Sequence, residues 1–342
     1  MDRREVLKGI TALPLAAAAV HGKTSASMKI KKPRRLKRGD TVALVAPSSG
    51  VSDAEFNRAI QNLENLGLKV RLGKYVRETN GYLAGTDDQR AEDLNRALAD
   101  KKADAVWCIR GGYGLTRILP KIDLAAIRKN PKPIIGYSDT TALLLAAHQA
   151  TGLVTFHGPG GSSTQSEYTR KHLTAALMEP AAPHKIELSP EYATRDNLLY
   201  KTQVITPGKA KGRLIGGNLS LITAMAGTPF GLRDVKGKIL FLEDVNERPY
   251  RVDRMFVQLA QSVDLRKAAG IALGIFDRCE PPNDNSQTVI DVVRDHLGML
   301  GIPVIYGLSF GHIRDQFTLP LGIEAELDTA KATVTLLETA VA

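Results

Sequence analysis

The sequence is poor in cysteine. Among 342 residues only Cys108 and Cys279 occur. They stand far apart in apolar settings, so neither a disulfide framework nor a zinc site is signalled, and two buried thiols are the plain reading. No metal or other cofactor is implied. The chain also lacks an internal repeat and a low-complexity tract. Beyond its first residues it lacks any apolar run of membrane-spanning length. It lacks, too, a spread of excess charge. The formal net charge is +10, but residues 28–38, MKIKKPRRLKR, hold seven Lys/Arg and no acid. Residues 1–26 hold four basic and two acidic residues, which leaves 35 basic and 34 acidic for the remainder. A nucleic-acid binder spreads its charge over a docking face. No nucleic-acid partner is expected here. The basic run reads as a solvated leader with weak attraction for anionic envelope polymers.

What is present is enough hydrophobic material, 43% of residues, for two domains with real cores. The start of the chain, MDRREVLKGITALPLAAAAVHG, reads as an export signal. Arg3-Arg4 stand ahead of an apolar stretch too short for a permanent span, and the pair resembles a twin-arginine address. A Sec signal or an uncleaved anchor is the alternative. Each places the remainder outside the bacterial cytoplasm. The expectation is a periplasmic protein with no stable membrane span once a signal over 1–26 is removed.

From Asp40 short apolar runs alternate with helical patterns. TVALV, KVRL, ADAVWC and KPIIG read as strands, and the segments from Ser52 and Asp87 as amphipathic helices. Continuous apolar strands between helices argue a parallel sheet covered on both faces. Function in such sheets collects at the carboxyl ends of the strands. The expected organisation is a basic leader over 27–38, a first domain over 39–165, a polar interdomain crossing over 166–206 with one helix, and a second domain over 207–342.

One corner invites chemistry. In KPIIGYSDTTALLL, Ser138 sits between an apolar strand and a helix. A serine there is held out of the sheet, with backbone N–H groups aimed at whatever its oxygen attacks. The usual Gly-x-Ser-x-Gly elbow is incomplete, since Thr140 stands where the last glycine would. A helix N-cap is the competing reading. A nucleophilic serine needs a base, and the base an orienting acid. His148 falls on an apolar helical stretch. His172, His184 and His296 fall in helical or polar surface contexts. His157 and His312 remain, each on a loop after an apolar strand, and the pattern does not choose between them. Glu243 and Asp244 end the run ILFLEDV. A carboxylate there needs a partner, and a salt bridge to Arg248 or Arg251 is the bland alternative.

The blocks IRGGYG, GYSDTTAL, GRLIGGNLSLI, FLEDVNERPYRVDRM and GLSFGHIRDQFTLPLG, in this order, resemble the LD-carboxypeptidase family of serine peptidases. They cover nearly all of residues 38–335. The resemblance implies an α/β fold with an N-terminal flavodoxin-like parallel-sheet domain, a C-terminal β-rich domain and a site in the cleft between them. It implies a triad of Ser138, Glu243 and His312, favouring His312 over His157. Backbone N–H groups of Gly112 and Asp139 would then meet the oxyanion, and Asp244 would point away from the cleft towards the helix that carries Arg251 and Arg254. The implied substrate is a murein tetrapeptide stem, cut between its diamino acid and terminal D-Ala. A homodimer is implied as well. Cleavage of peptide–nucleotide antibiotics is the alternative within the family. A non-catalytic periplasmic binding protein is the alternative outside it, because fold alone does not fix function.

Overall fold

The computed structural model describes residues 29–193, 195–283 and 285–342, so the signal read over 1–26 lies outside the described residues. β1 (Thr41–Val45), β2 (Lys69–Leu72), β3 (Ala105–Cys108), β4 (Ile134–Gly136) and β5 (Phe156–His157) pair in parallel in the spatial order 5-4-3-1-2. This is the flavodoxin-type order. β3 and β4 are buried along their whole length, as their unbroken apolar runs require. The helices between them start where side chains can satisfy free N–H groups. Ser52 and Glu55 form a capping box at Asp53–Asn65, and Thr86 and Gln89 form one at Asp87–Ala99.

The second sheet has eight strands. β6 (His184–Ile186) and β7 (Gln203–Thr206) precede β8 (Lys209–Asn218), β9 (Lys238–Glu243), β10 (Gly270–Gly274) and β11 (Val304–Leu308). β12 (Leu319–Pro320) leaves this sheet, and β13 (Glu324–Asp328) and β14 (Thr333–Leu336) return to it. The order is 6-14-13-8-9-10-11-7, with β8 to β11 parallel and both flanks antiparallel. The helix Thr141–Thr151 is buried from Thr141 through His148. An all-round apolar helix needs cover on every side. The first sheet supplies one side, and β8 with the helix Leu219–Ala224 supplies the other.

Three expectations are corrected. Residues 166–206 are more than a crossing. Besides the helix Glu167–Leu177 they supply β6 and β7, the two edges of the second sheet, so the second domain draws on chain before residue 207. The first domain, in turn, is not complete at residue 165. β12 pairs antiparallel with β5 through Leu319 and His157. Finally, the basic stretch is not a free leader from residue 29 on. Leu36 is buried, Lys31 bridges to Leu153, and the Arg35 N–H donates to the Ala342 carbonyl. Lys32 pairs with Glu338, and Arg34 with Asp40 and Asp104, so part of the charge is paired on the surface of the fold.

Candidate active site

Ser138 stands two residues past the end of β4, after extended Tyr137. Its φ is 62°, in the left-handed region that side chains avoid. A strained corner of this kind, held by its surroundings, is characteristic of functional positions. The chain then makes one 3-10 turn, Ser138–Thr140, and enters the helix Thr141–Thr151. Ser138 is therefore a backbone corner, and its side chain caps no N–H. Gly111 presses on it. A Cβ on Gly111 would come 2.7 Å from Ser138 Cβ and 2.9 Å from Oγ, so only glycine fits. The Asp139 carboxylate is buried, accepting 2.6 Å from Ser48 Oγ and 2.8 Å from the Leu115 N–H, which ties the elbow to the loops after β1 and β3. Among the described residues, the N–H groups of Gly112 and Asp139 donate to no protein acceptor.

The base and its acid come from the other sheet. Glu243 ends β9 beside Asn218, which ends β8. It is fully buried, and its Oε2 lies 2.7 Å from His312 Nδ1. A carboxylate only accepts, so Nδ1 carries the hydrogen and Nε2 is left bare. Burial pushes the Glu243 carboxyl up, but the His312 charge and hydrogen bond outweigh it, and the carboxyl sits below its ordinary range. Burial pushes His312 down, but Glu243 outweighs that in turn and holds the ring above its ordinary value. Gly311, with φ 112°, makes the approach possible, since a Cβ there would lie 2.9 Å from Glu243 Oε2. The two halves meet through Tyr137, whose ring centroid is 4.8 Å from that of His312. They meet again at Thr141, whose Oγ accepts 3.0 Å from the Asn218 N–H.

The adjacent carboxylate does a different job. Asp244 is buried and faces away from His312, as strand alternation requires. It does not reach Arg251 or Arg254. It accepts from Asn218 Nδ2, from Ser220 N–H and Oγ, and from its neighbour Val245 N–H. Burial and then Glu243 push it up to about 6. The salt bridge considered for Glu243 is not made, because Arg251 pairs with Glu247 instead.

The remaining histidines separate. His148 contacts the Leu153 carbonyl at 2.8 Å, and His296 pairs with Asp253. His172, read as a surface residue, is buried with its Nδ1 3.1 Å from His184 Nε2. His157 is buried beside the elbow, its Cα in register with Gly136. Tyr137, Gly111, Gly311 and Asn218 belong to the site without having been singled out. A glycine immediately before His312 and a Gly-Gly pair after β3 were the signals available. Asn246 and Arg278, beyond the ends of β9 and β10, also have positive φ, and no sequence pattern marks them. A mixed-charge cavity of about 540 Å³ opens beside the His312 loop rather than at Ser138 itself. Tyr168, His172, Lys185, Glu187, Arg314 and Asp315 are among its lining.

Family models match the chain twice. That of the LD-carboxypeptidase N-terminal domain covers residues 42–158, and that of the C-terminal domain covers 211–327. A probable murein peptide carboxypeptidase of Bacillus subtilis is 41% identical over 306 residues, 89% of this chain and 94% of that protein. The solved structure of a muramoyltetrapeptide carboxypeptidase from Oxalobacter formigenes superposes with a TM-score of 0.73 at 32% identity, over 86% of this chain and 97% of that one. The microcin C7 self-immunity protein of Escherichia coli is 31% identical over 326 residues, 88% of this chain and 94% of that protein. A solved structure of a microcin C7 self-immunity protein superposes with a TM-score of 0.82 at 27% identity, over 91% of this chain and 100% of that one.

Proposed function

Since the chain belongs to the LD-carboxypeptidase family of serine peptidases, we propose that it cleaves terminal D-Ala from murein tetrapeptide stems, with Ser138 as nucleophile, His312 as base and Glu243 as the acid that orients it. The observation that carries the assignment is the 2.7 Å bond from His312 Nδ1 to buried Glu243, with the His312 ring packed on Tyr137, the neighbour of strained Ser138. His312 Nε2 takes the Ser138 proton as Oγ attacks the carbonyl between the diamino acid and D-Ala. The carbonyl oxygen becomes an oxyanion, met by the free N–H groups of Gly112 and Asp139. His312 then gives its proton to the departing D-Ala amine, leaving an acyl-enzyme. Water, deprotonated by His312, repeats the attack and frees the shortened stem. Glu243 holds the tautomer and stabilises the imidazolium formed twice in the cycle. The mixed charge of the neighbouring cavity suits a stem that carries both carboxylates and an amine.

Mass spectrometry of a purified tetrapeptide stem tests the reading. Loss of one alanine is expected with the protein, and an unchanged stem with Ser138→Ala. No release of alanine by the intact protein would remove it. The likeness to a microcin self-immunity protein supports a second reading, cleavage of a peptide–nucleotide conjugate, and the same assay run on such a conjugate separates the two. A non-catalytic binding protein would show no labelling of Ser138 by a serine-directed fluorophosphonate. Export through Arg3-Arg4 and a periplasmic site of action are part of the proposal, so changing both arginines to lysine should retain the protein in the cytoplasm. A homodimer is expected too, and sedimentation decides it.

A further inference from the structure

A second histidine lies under the site and has no role in the scheme above. His157 is 1% exposed, and neither ring nitrogen has a hydrogen-bond partner among the described residues. A neutral imidazole carries one N–H and one bare nitrogen. Burying both unpaired leaves each group without the hydrogen bond that water gave it, at a cost in stability. Nothing in the immediate packing calls for that cost. The ring sits edge-on to Phe241 at 5.4 Å, to Phe310 at 6.4 Å and to Tyr137 at 6.2 Å, a setting a phenyl ring would fill as well.

The complementary orphan is close by. Glu243 accepts from His312 with Oε2, while its Oε1 is buried with no partner in hydrogen-bond geometry among the described residues; the nearby Asn218 amide helps to lower the carboxyl but donates to Asp244 at 3.1 Å. Phe241 and Glu243 are two residues apart on β9, so their side chains lie on one face. His157 packs on Phe241, which brings a ring with an unpaired N–H to the side of the carboxylate with an unpaired oxygen. Phe310 and His312 are two residues apart on the loop after β11, and His157 packs on Phe310 as well. His157 thus touches the neighbours of both members of the pair, and through Tyr137 it touches the neighbour of Ser138.

We propose that His157 is a positioning residue of the hydrolysis. Its N–H serves the free Oε1 of Glu243 through one internal water molecule and fixes the carboxylate so that Oε2 meets His312. For this the ring must remain neutral. Burial holds it down at about 4, against Glu243, which pulls it up, with His312 adding to the depression. The titratable groups around it are Glu243 on β9, His312 after β11 and Tyr137 at the elbow. Phe241, Phe310 and its β12 partner Leu319 bring none.

The inference rests on the triad reading, and one set of variants separates the two. His157→Phe keeps the ring and removes the N–H. It should melt no lower than the parent, lower kcat by about 10–100-fold, the scale on which outer-shell partners act at reacting centres, and leave KM within about two-fold. A loosened Glu243 supports the imidazolium less, so the acid limb of kcat/KM should move down by about half a pH unit or more. His157→Asn or His157→Gln, which restores an N–H at the position of one ring nitrogen or the other, should recover most of the loss. A His157→Phe protein with the parent's kcat and pH profile would make His157 a packing residue and overturn the proposal. If Glu243→Gln also turned over normally, the triad itself would fall. Should His157→Phe not fold, nitrogen-15 spectra of the unaltered protein decide. One neutral tautomer with a slowly exchanging N–H from pH 5 to 9 is expected. Two interconverting tautomers would overturn the proposal.

Discussion

Ser138 is held by backbone shape. Its φ of 62° is fixed by a short 3-10 turn, by Gly111 against its side chain and by an Asp139 carboxylate anchored on two loops. His312 is held by charge. A buried carboxylate at the end of a parallel strand fixes one nitrogen, and the Tyr137 ring packs against the imidazole. The two halves of the site therefore answer to different perturbations. The backbone corner responds to pH only through the Asp139 carboxylate that anchors it, and it is sensitive to a methyl group. A buried ion pair tolerates little loss of charge and follows pH closely.

The comparison can be broken most forcefully at the nucleophile. Ser138→Ala should lower kcat by about a million-fold, the scale for loss of a triad serine, with an unchanged melting temperature. Turnover near that of the parent in the purified variant would dismiss Ser138. Glu243→Gln should cost less, roughly ten-thousand-fold in kcat, as for other orienting acids, with KM little changed. If Asp244→Asn were instead the dead enzyme, the strand register of β9 would have to be reassigned.

The pH response sharpens the contrast. His312 is raised above 6.5 in the fold, so the stability it contributes is full below that value and is lost as pH rises through the raised one. Glu243 is lowered below 4.5, so its contribution is present above that value and lost as pH falls through the lowered one. The pair stabilises most between the two. Activity needs His312 neutral, so kcat/KM should still be rising where the melting temperature has begun to fall. Paired pH scans of both quantities test this. In Glu243→Gln the alkaline fall in melting temperature should disappear.

Smaller effects follow from the glycines and from Asp244. Gly311→Ala places a methyl group against Glu243 at a φ unsuited to alanine and should cost about 1–3 kcal/mol by denaturant unfolding, together with activity. Ser138→Gly should run the other way, gaining about 1 kcal/mol by relieving the left-handed corner while abolishing turnover. Asp244→Asn is the mildest. Asp244 is raised to about 6, so its favourable contribution is full below its ordinary 3.8 and is lost as pH rises through 6. The variant gives up acceptors for Ser220 and Val245 and should melt lower than the parent in acid. The gap should narrow as pH rises from about 4 to 6 and stay level above that. A gap that widened between pH 4 and 6 would reverse the assignment of burial as the dominant cause.

Much of this was legible in the chain. β1, β3 and β4 declared themselves as unbroken apolar runs ended by glycine or proline, and Ser138 stood out because a serine interrupted such a pattern at a corner. β6 and β7 did not, because edge strands are half exposed and carry residues such as His184, Lys185 and Gln203 that read as crossing. The choice between His157 and His312 was beyond local pattern. Both follow apolar strands, and what separates them is a carboxylate brought from residue 243. The burial of Leu36 and His172 was hidden for the same reason, since each is covered by chain far away in sequence. Asp244 was expected to face an arginine-bearing helix, but the start of the preceding helix, Leu219–Ala224, with its free Ser220 N–H, lay nearer.

β12 also sets a timetable. The edge of the first sheet is closed by Leu319 and Pro320, laid down antiparallel against Phe156 and His157. On the ribosome, at roughly 5–20 residues per second, the nucleophile corner emerges on the order of ten seconds or more before the strand that seals its sheet. Until then the β5 edge is open, a template for pairing with any other nascent strand. A chain stopped before Leu319 should accordingly aggregate rather than leave a soluble half-enzyme, and hydrolysis should begin only when nearly the whole chain has been made.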